Sequence, residues 1–304
     1  MVMSDAVVRF DRLTRWFGER AALSDFTLDV PRGSVYALLG RNGAGKTTAL
    51  RCLLGLMRPT RGRAEVLGMD AATLPPAARA RIGFVAEGQT LVPWMKVRML
   101  GEFQCATMPG FDAAVFSAHL DRLGIDAAQR VKNLSRGQRA QVALALALAP
   151  SPELVILDDP AMGLDPVVRR EFLEVMIDLV HAEGRTVLFT SHVLADVERV
   201  ADHVAILHQG VLRVSGAVDD VKARVVRVHA HFDGDAPAAP ELAGVLKSSA
   251  RGRALSLTVC DGPEAVSDWA RTHGAVKLDV ERLTLEDLFI DYTTSPVTGG
   301  GAAA

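Results

Sequence analysis

Gly40-Arg41-Asn42-Gly43-Ala44-Gly45-Lys46-Thr47-Thr48 decides the reading of this chain. It follows an apolar run, Val35–Leu39, that reads as a buried strand, and it precedes a helical pattern with Leu50, Leu53, Leu54 and Met57 on one face. Strand, glycine-rich turn and helix in that order are the setting a phosphate-binding loop requires. The glycines let the backbone curl until successive N–H groups point inward, and the helix N-terminus adds its partial positive charge. Lys46 has the length to reach β- and γ-phosphates, and the Thr47 hydroxyl suits Mg²⁺. A glycine-rich turn with a chance lysine is the alternative, and the flanking pattern on both sides weighs against it. The expectation is a chain that binds a nucleoside triphosphate.

With 304 residues the chain has room for one large domain and a smaller one. Hydrophobic residues at 49% support a sizeable core, and 23% charged residues suit a soluble protein. A formal net charge of −2 gives no reason to propose a nucleic-acid surface. Cys52, Cys105 and Cys260 are scattered and form no metal-type pair, which fits a reducing compartment. No apolar run approaches the ~20 residues needed to cross a bilayer; the longest, 142–149, reads as a buried helix. Residues 1–12 lack the apolar core of a signal peptide. The expectation is a cytosolic protein whose dealings with a membrane go through a partner.

From Val7 to about Arg224, strand-like and helix-like segments alternate, as in an α/β layered domain. Leu154–Leu157 and residues 186–190 suit central strands, with Val168, Phe172, Val175, Met176, Leu179 and Val180 at helical spacing between them. Residues 204–214 read as a hairpin turning at Gln209-Gly210. The stretch 93–149 lacks strand signals and reads as mostly helical. After Arg224 the period changes: Val226, Val228, Ala230 and Phe232 alternate with polar residues, as do Leu255, Leu257 and Val259, then Val276, Leu278 and Val280. Residues 264–273 and 284–292 look helical, so this end is a small α+β appendage, and residues 295–304 are a small-residue tail.

Val155-Ile156-Leu157-Asp158-Asp159 is an apolar strand ending in two carboxylates. Near a phosphate loop, the first acid suits Mg²⁺ held through water and the second suits orientation of the attacking water. A solvated strand end or a helix cap is the plainer use of adjacent acids. Leu134-Ser135-Arg136-Gly137-Gln138-Arg139 leads into an apolar helical run, and taken alone it reads as an N-cap.

In order and spacing, the phosphate loop, Ser135-Arg136-Gly137-Gln138, the strand acids, Gly163-Leu164-Asp165-Pro166 and Ser191-His192 resemble the ATPase subunit of an ATP-binding cassette (ABC) transporter over about residues 5–225. The resemblance implies an α/β fold of the P-loop NTPase cassette type: a mixed sheet with a RecA-like core, an antiparallel β subdomain and a helical subdomain at about 93–149. Residues 1–224 are then the ATPase domain, 225–294 a small C-terminal α+β domain and 295–304 a flexible tail. The resemblance also implies ATP and Mg²⁺ as cofactors. Phe17 matches the aromatic that stacks on adenine. Gly40, Asn42, Gly43, Ala44, Gly45, Lys46, Thr47 and Thr48 match the phosphate cradle. Ser135, Gly137 and Gln138 match signature residues that reach the γ-phosphate of ATP held by another subunit, and Asp165 matches a loop lying across that interface. His192 matches the switch histidine beside the attacking water. Lys46, Ser135, Asp159 and His192 are the implied catalytic residues; Thr47, Asp158 and Glu87 are the implied metal ligands.

Asp159 stands where the family usually has glutamate, and a side chain one methylene shorter can displace the carboxylate by about 1 Å, on the order of 10²-fold in rate. Glu87 stands where the family commonly has glutamine, and a carboxylate still ligates Mg²⁺. Arg136 replaces a usual glycine. Glu87, Arg136, the stretch Leu91-Val92-Pro93-Trp94-Met95 and the end Leu285-Glu286-Asp287-Leu288-Phe289 resemble the drug-, polysaccharide- and lipid-export branch. The leading expectation is an ATP-hydrolysing subunit, paired with itself or a paralogue and attached to a separate membrane permease near residues 87–96, where Trp94 looks exposed. A regulatory nucleotide-binding module with negligible turnover is the alternative that Asp159 motivates. Soluble cassettes acting on DNA or ribosomes carry long coiled-coil insertions or two cassettes per chain, and neither occurs here.

Overall fold

The computed structural model describes residues 5–88, 91–181, 184–240 and 242–294; the expected tail at 295–304 lies outside them. β1 (Ala6–Phe17) and β2 (Arg20–Pro31) form a hairpin, followed by β3 (Val35–Leu39), α1 (Lys46–Leu53), β4 (Arg61–Val66) and β5 (Met69–Asp70). α2 (Pro76–Arg79) and β6 (Ile82–Val85) lead into the helices α3 (Val97–Thr107), α4 (Ala113–Arg122) and α5 (Arg136–Leu148). The chain returns through β7 (Leu154–Leu157), α6 (Pro166–His181), β8 (Thr186–Ser191), α7 (Leu194–Val200), β9 (His203–His208), β10 (Val211–Ala217) and α8 (Val218–Arg224). β11 (Val225–Phe232), β12 (Val245–Arg251), β13 (Ala254–Cys260), α9 (Pro263–Thr272), β14 (Ala275–Arg282) and α10 (Leu285–Thr294) follow.

These strands make three sheets, ordered β2-β1-β4-β5, β10-β9-β3-β8-β7-β6 and β12-β13-β11-β14. In the second, β6, β7, β8, β3 and β9 run parallel and β10 closes one edge antiparallel. Every residue of β3 and β7 is buried, as expected of strands covered on both faces. Alternation then sorts their side chains. Val35, Ala37, Leu39, Val155 and Leu157 face the core shared with α5, α6 and α7, whereas Tyr36, Leu38, Leu154 and Ile156 face the core shared with α1 and the first sheet. α1 is shorter than its apolar pattern suggests. It ends at Leu53 because Gly55 turns left-handed (φ +68°) against the Ala71 carbonyl, yet Leu54 and Met57 still pack in the same core.

The third sheet has its own core, in which Val228, Ala230, Leu255 and Leu257 meet Val266 and Ala270 of α9. Val276 and Val280 do not join it. Their alternation does form a strand, but β14 is the sheet's edge, and of its residues Ala275 and Leu278 reach the core that α9 covers. α10 faces both ways. Leu285, Leu288 and Tyr292 sit in the α5–α7 core, while Asp291, 2% exposed, accepts from Arg227 Nη2 (2.8 Å), Lys247 Nζ (2.8 Å) and Thr258 Oγ1 (2.7 Å) of the third sheet. Burial pushes that carboxyl up, and these hydrogen bonds outweigh it, holding Asp291 below the usual carboxylate range.

Candidate functional site

β3 lies between β8 and β9, so the loop after Leu39 emerges at the carboxyl ends of parallel strands, where α/β sheets gather their ligand sites. Gly43 (φ +79°) and Gly45 (φ +114°) are left-handed, and a Cβ at 45 would run into the Ala22 carbonyl. That curl places Asn42 to Thr48 along one wall of a cavity of about 490 Å³. Glu87, Asp158, Asp159 and Thr190, from the ends of β6, β7 and β8, line it too, with Phe17, Arg20 and Ala22 of the β1–β2 hairpin.

Lys46 is buried to 9% exposure, and its Nζ donates to the carbonyls of Gly40 (2.6 Å) and Arg41 (3.4 Å). Burial pushes the ammonium below the ordinary lysine value, while Asp159, Asp158 and Glu87 pull it back up. One ammonium facing three carboxylates and a wall of glycine amides is suited to a polyanion that arrives with a divalent cation. The donors of Thr47, Asp158 and Glu87 are all oxygens, as Mg²⁺ prefers. Among the described residues no cluster of three or more His, Cys, Asp and Glu side chains could hold a metal by itself.

Thr190 ties the two acids together. Its hydroxyl donates to Asp158 Oδ1 (2.8 Å) and accepts from the Asp159 amide (2.8 Å). Sequence reading left Thr190 as the last residue of an apolar strand, although a hydroxyl ending such a strand beside two acids was a usable signal. Asp159 adopts a left-handed backbone (φ +42°), a conformation aspartate tolerates better than glutamate. From there its Oδ2 lies 2.6 Å from His192 Nδ1. A carboxylate acceptor fixes the proton on Nδ1 and leaves Nε2 as the other functional nitrogen. The shorter acid therefore reaches its histidine. Thr190→Val should lower kcat at least tenfold with the KM for ATP little changed, since Asp158 and Asp159 lose the hydroxyl that positions them. Thr190→Ser should restore the rate; a full rate in the valine variant would remove Thr190 from the site.

Phe17 ends β1 half-exposed at the rim, with the Arg15 guanidinium 4.9 Å from its ring centroid, so it is not a core aromatic. Arg20 and Ala22 beside it were not anticipated from sequence. Gly40, Ser135, Gly137, Gln138, Asp165 and His192 do not line this cavity; Gly40 meets it through Lys46 and His192 through Asp159. Ser135 and Gln138 close a reciprocal capping box on α5 (3.0 and 3.1 Å), and Asp165 caps α6 through the amides of Val167 and Val168 (both 3.1 Å). Gly137 is compelled locally, because a Cβ would strike Val168 of α6. Arg136 Nη1 donates to the Gly163 carbonyl (3.3 Å), joining the two loops. Trp94 is 66% exposed, with Val92, Met99 and Phe103 exposed nearby in sequence.

The family model described as "ABC transporter" matches residues 23–162. The chain is 29% identical to the bacitracin transport ATP-binding protein BcrA of Enterococcus faecalis, over the full length of both. It is 33% identical to the daunorubicin resistance ATP-binding protein DrrA3 of Streptomyces coeruleorubidus, over 96% of this chain and 97% of that one. The Nod factor export ATP-binding protein I of Bradyrhizobium diazoefficiens is 34% identical over 72% and 73% of the two chains. Among solved structures, an ATP-binding subunit of an ABC transporter superposes with a TM-score of 0.63 at 29% identity, over 71% of this chain and 92% of that one.

Proposed function

The chain belongs to the ABC transporter family of ATP-binding ATPase subunits, and from that premise we propose that two cassettes close around ATP and Mg²⁺ to drive a separate membrane permease, working as an exporter. One observation carries the site assignment: Lys46, Thr47, Glu87, Asp158 and Asp159 line a single cavity. The amides of residues 43–48 and the Lys46 ammonium hold the phosphates, and Phe17 offers its ring to the base. Thr47, Asp158 and Glu87 would hold Mg²⁺, which would supply positive charge to offset that of the phosphates. Asp159 orients and deprotonates the attacking water, and His192, aligned by Asp159, contacts the γ-phosphate.

The position of Ser135 supports pairing. It caps α5 away from the cavity, so it meets a γ-phosphate only on a second cassette. Export follows the name of the Nod factor export relative, beside relatives named for bacitracin transport and daunorubicin resistance. Among the described residues no helix is long and apolar enough to cross a membrane, which supports a separate permease. Exposed Trp94 and Phe103 suit its docking.

A mixing experiment tests the shared site. Lys46→Ala and Ser135→Arg should each be inactive alone. Mixed in equal amounts they should recover about one quarter of the parental rate, because half of randomly assorted two-fold dimers carry one intact site of two. No recovery on mixing, with both variants folded, would argue against sites built from two chains.

A further inference from the structure

β14 is an eight-residue edge strand, paired on one side with β11, and it carries the exposed valines Val276 (61%) and Val280 (56%). Long exposed edges invite pairing with another strand, and proteins usually blunt them with proline, a bulge or a row of like charge. β14 has no proline; its register against β11 shifts once, at Val276, and is continuous over residues 277–282. Its charges are of mixed sign, Lys277 and Arg282 against Asp279 and Glu281, so they form no row of like charge; Lys277 and Asp279 form a 2.9 Å pair on the opposite face from the valines, with both side chains mostly exposed. The other edge, β12, offers no comparable stripe. Its Lys247 is committed to Asp291, and its last residues are polar or small.

We infer that β14 pairs antiparallel with β14 of a second copy of this chain, with the two-fold axis at Leu278. Two strands extending one sheet about a perpendicular two-fold place residues of the same face opposite each other, so the axis must pass through a residue. The charges then choose which one. An axis at 277 sets lysine against lysine and an axis at 280 sets Asp279 against Glu281; an axis at 279 pairs Lys277 with Glu281, but sets aspartate against aspartate at its centre and calls on a glutamate already bonded to His229 (3.1 Å). Only at 278 does Lys277 of each strand face Asp279 of the other, twice over. The same register brings Val276 opposite Val280 and Leu278 opposite Leu278, continuing the apolar face that Val228 and Ala230 begin on β11. Charge and apolar patterns agree on one register. The pairing needs no nucleotide, so it is separate from closure around ATP.

The test uses the full chain in a Lys46→Ala, Cys105→Ser background without nucleotide, so that ATP-driven closure and the exposed native thiol are both removed. Leu278→Cys should then form an intermolecular disulfide at least tenfold faster than Arg282→Cys, because directly opposed residues stand about 4.5–5.5 Å apart, within disulfide reach. Lys277→Glu and Asp279→Lys should each raise the dimer dissociation constant about tenfold by turning two attractive pairs repulsive. The double variant should restore it. Equal cross-linking at 278 and 282, or a double variant no better than the singles, overturns the pairing and leaves the ATP site untouched.

Discussion

Lys46→Ala leaves a chain that no longer retains ATP. The ammonium supplies charge-assisted hydrogen bonds worth about 1.5–3 kcal/mol each, and losing two of them weakens binding roughly 10²–10⁴-fold. Calorimetric titration of the purified variant with Mg-ATP measures this directly. The folded state gives a control with the opposite sign. Burial holds the Lys46 ammonium below its ordinary value, so the native state binds that proton less tightly than the unfolded chain, and at neutral pH the charge opposes folding. Without nucleotide, the variant should therefore melt no lower than the parent. Loss of ATP binding with a sharply lower melting temperature would mean that the loop collapsed rather than lost a phosphate ligand.

Asp159→Asn should lower hydrolysis about 10²–10⁴-fold, the usual contribution of a positioned base, and leave ATP trapped in a stable dimer visible by size-exclusion chromatography. Asp159→Glu separates the two readings of this site. The aspartate already lies 2.6 Å from His192 Nδ1, held by Thr190 in a left-handed backbone that glutamate fits less well. The expected result is parental turnover with no tenfold gain in the glutamate variant. A nearly inactive parent and a strongly active glutamate variant would instead mark a regulatory module.

The loop at 40–48 and the acid-ended strand at 155–159 were legible because a buried parallel strand is a nearly pure apolar run and its chemistry must sit at the end. The hairpin at Gln209-Gly210 was legible from its turn residues, both left-handed in the structure. β12 went unseen: Val245–Arg251 is a half-wet edge whose Lys-Ser-Ser run carries little alternation. Thr190 and Arg20 were hidden for another reason. Each acts through neighbours distant in sequence, Thr190 across 31 and 32 residues, and no local pattern encodes such a meeting. The exposure of Val276 and Val280 shows that alternation announces a strand without saying what covers its face.

Glu198 gives α10 a further consequence. Its carboxylate accepts from the Leu285 amide (3.2 Å) and from Lys222 Nζ (3.0 Å), so α7 grips the start of α10 as well as α8. α7 begins two residues after His192, and α10 ends in the Asp291 cluster of the third sheet. The histidine's carrier helix, the last helix and the far sheet are thus geared together. Glu198 is therefore the residue through which a displacement of α7 would reach α10 and the sheet beyond it.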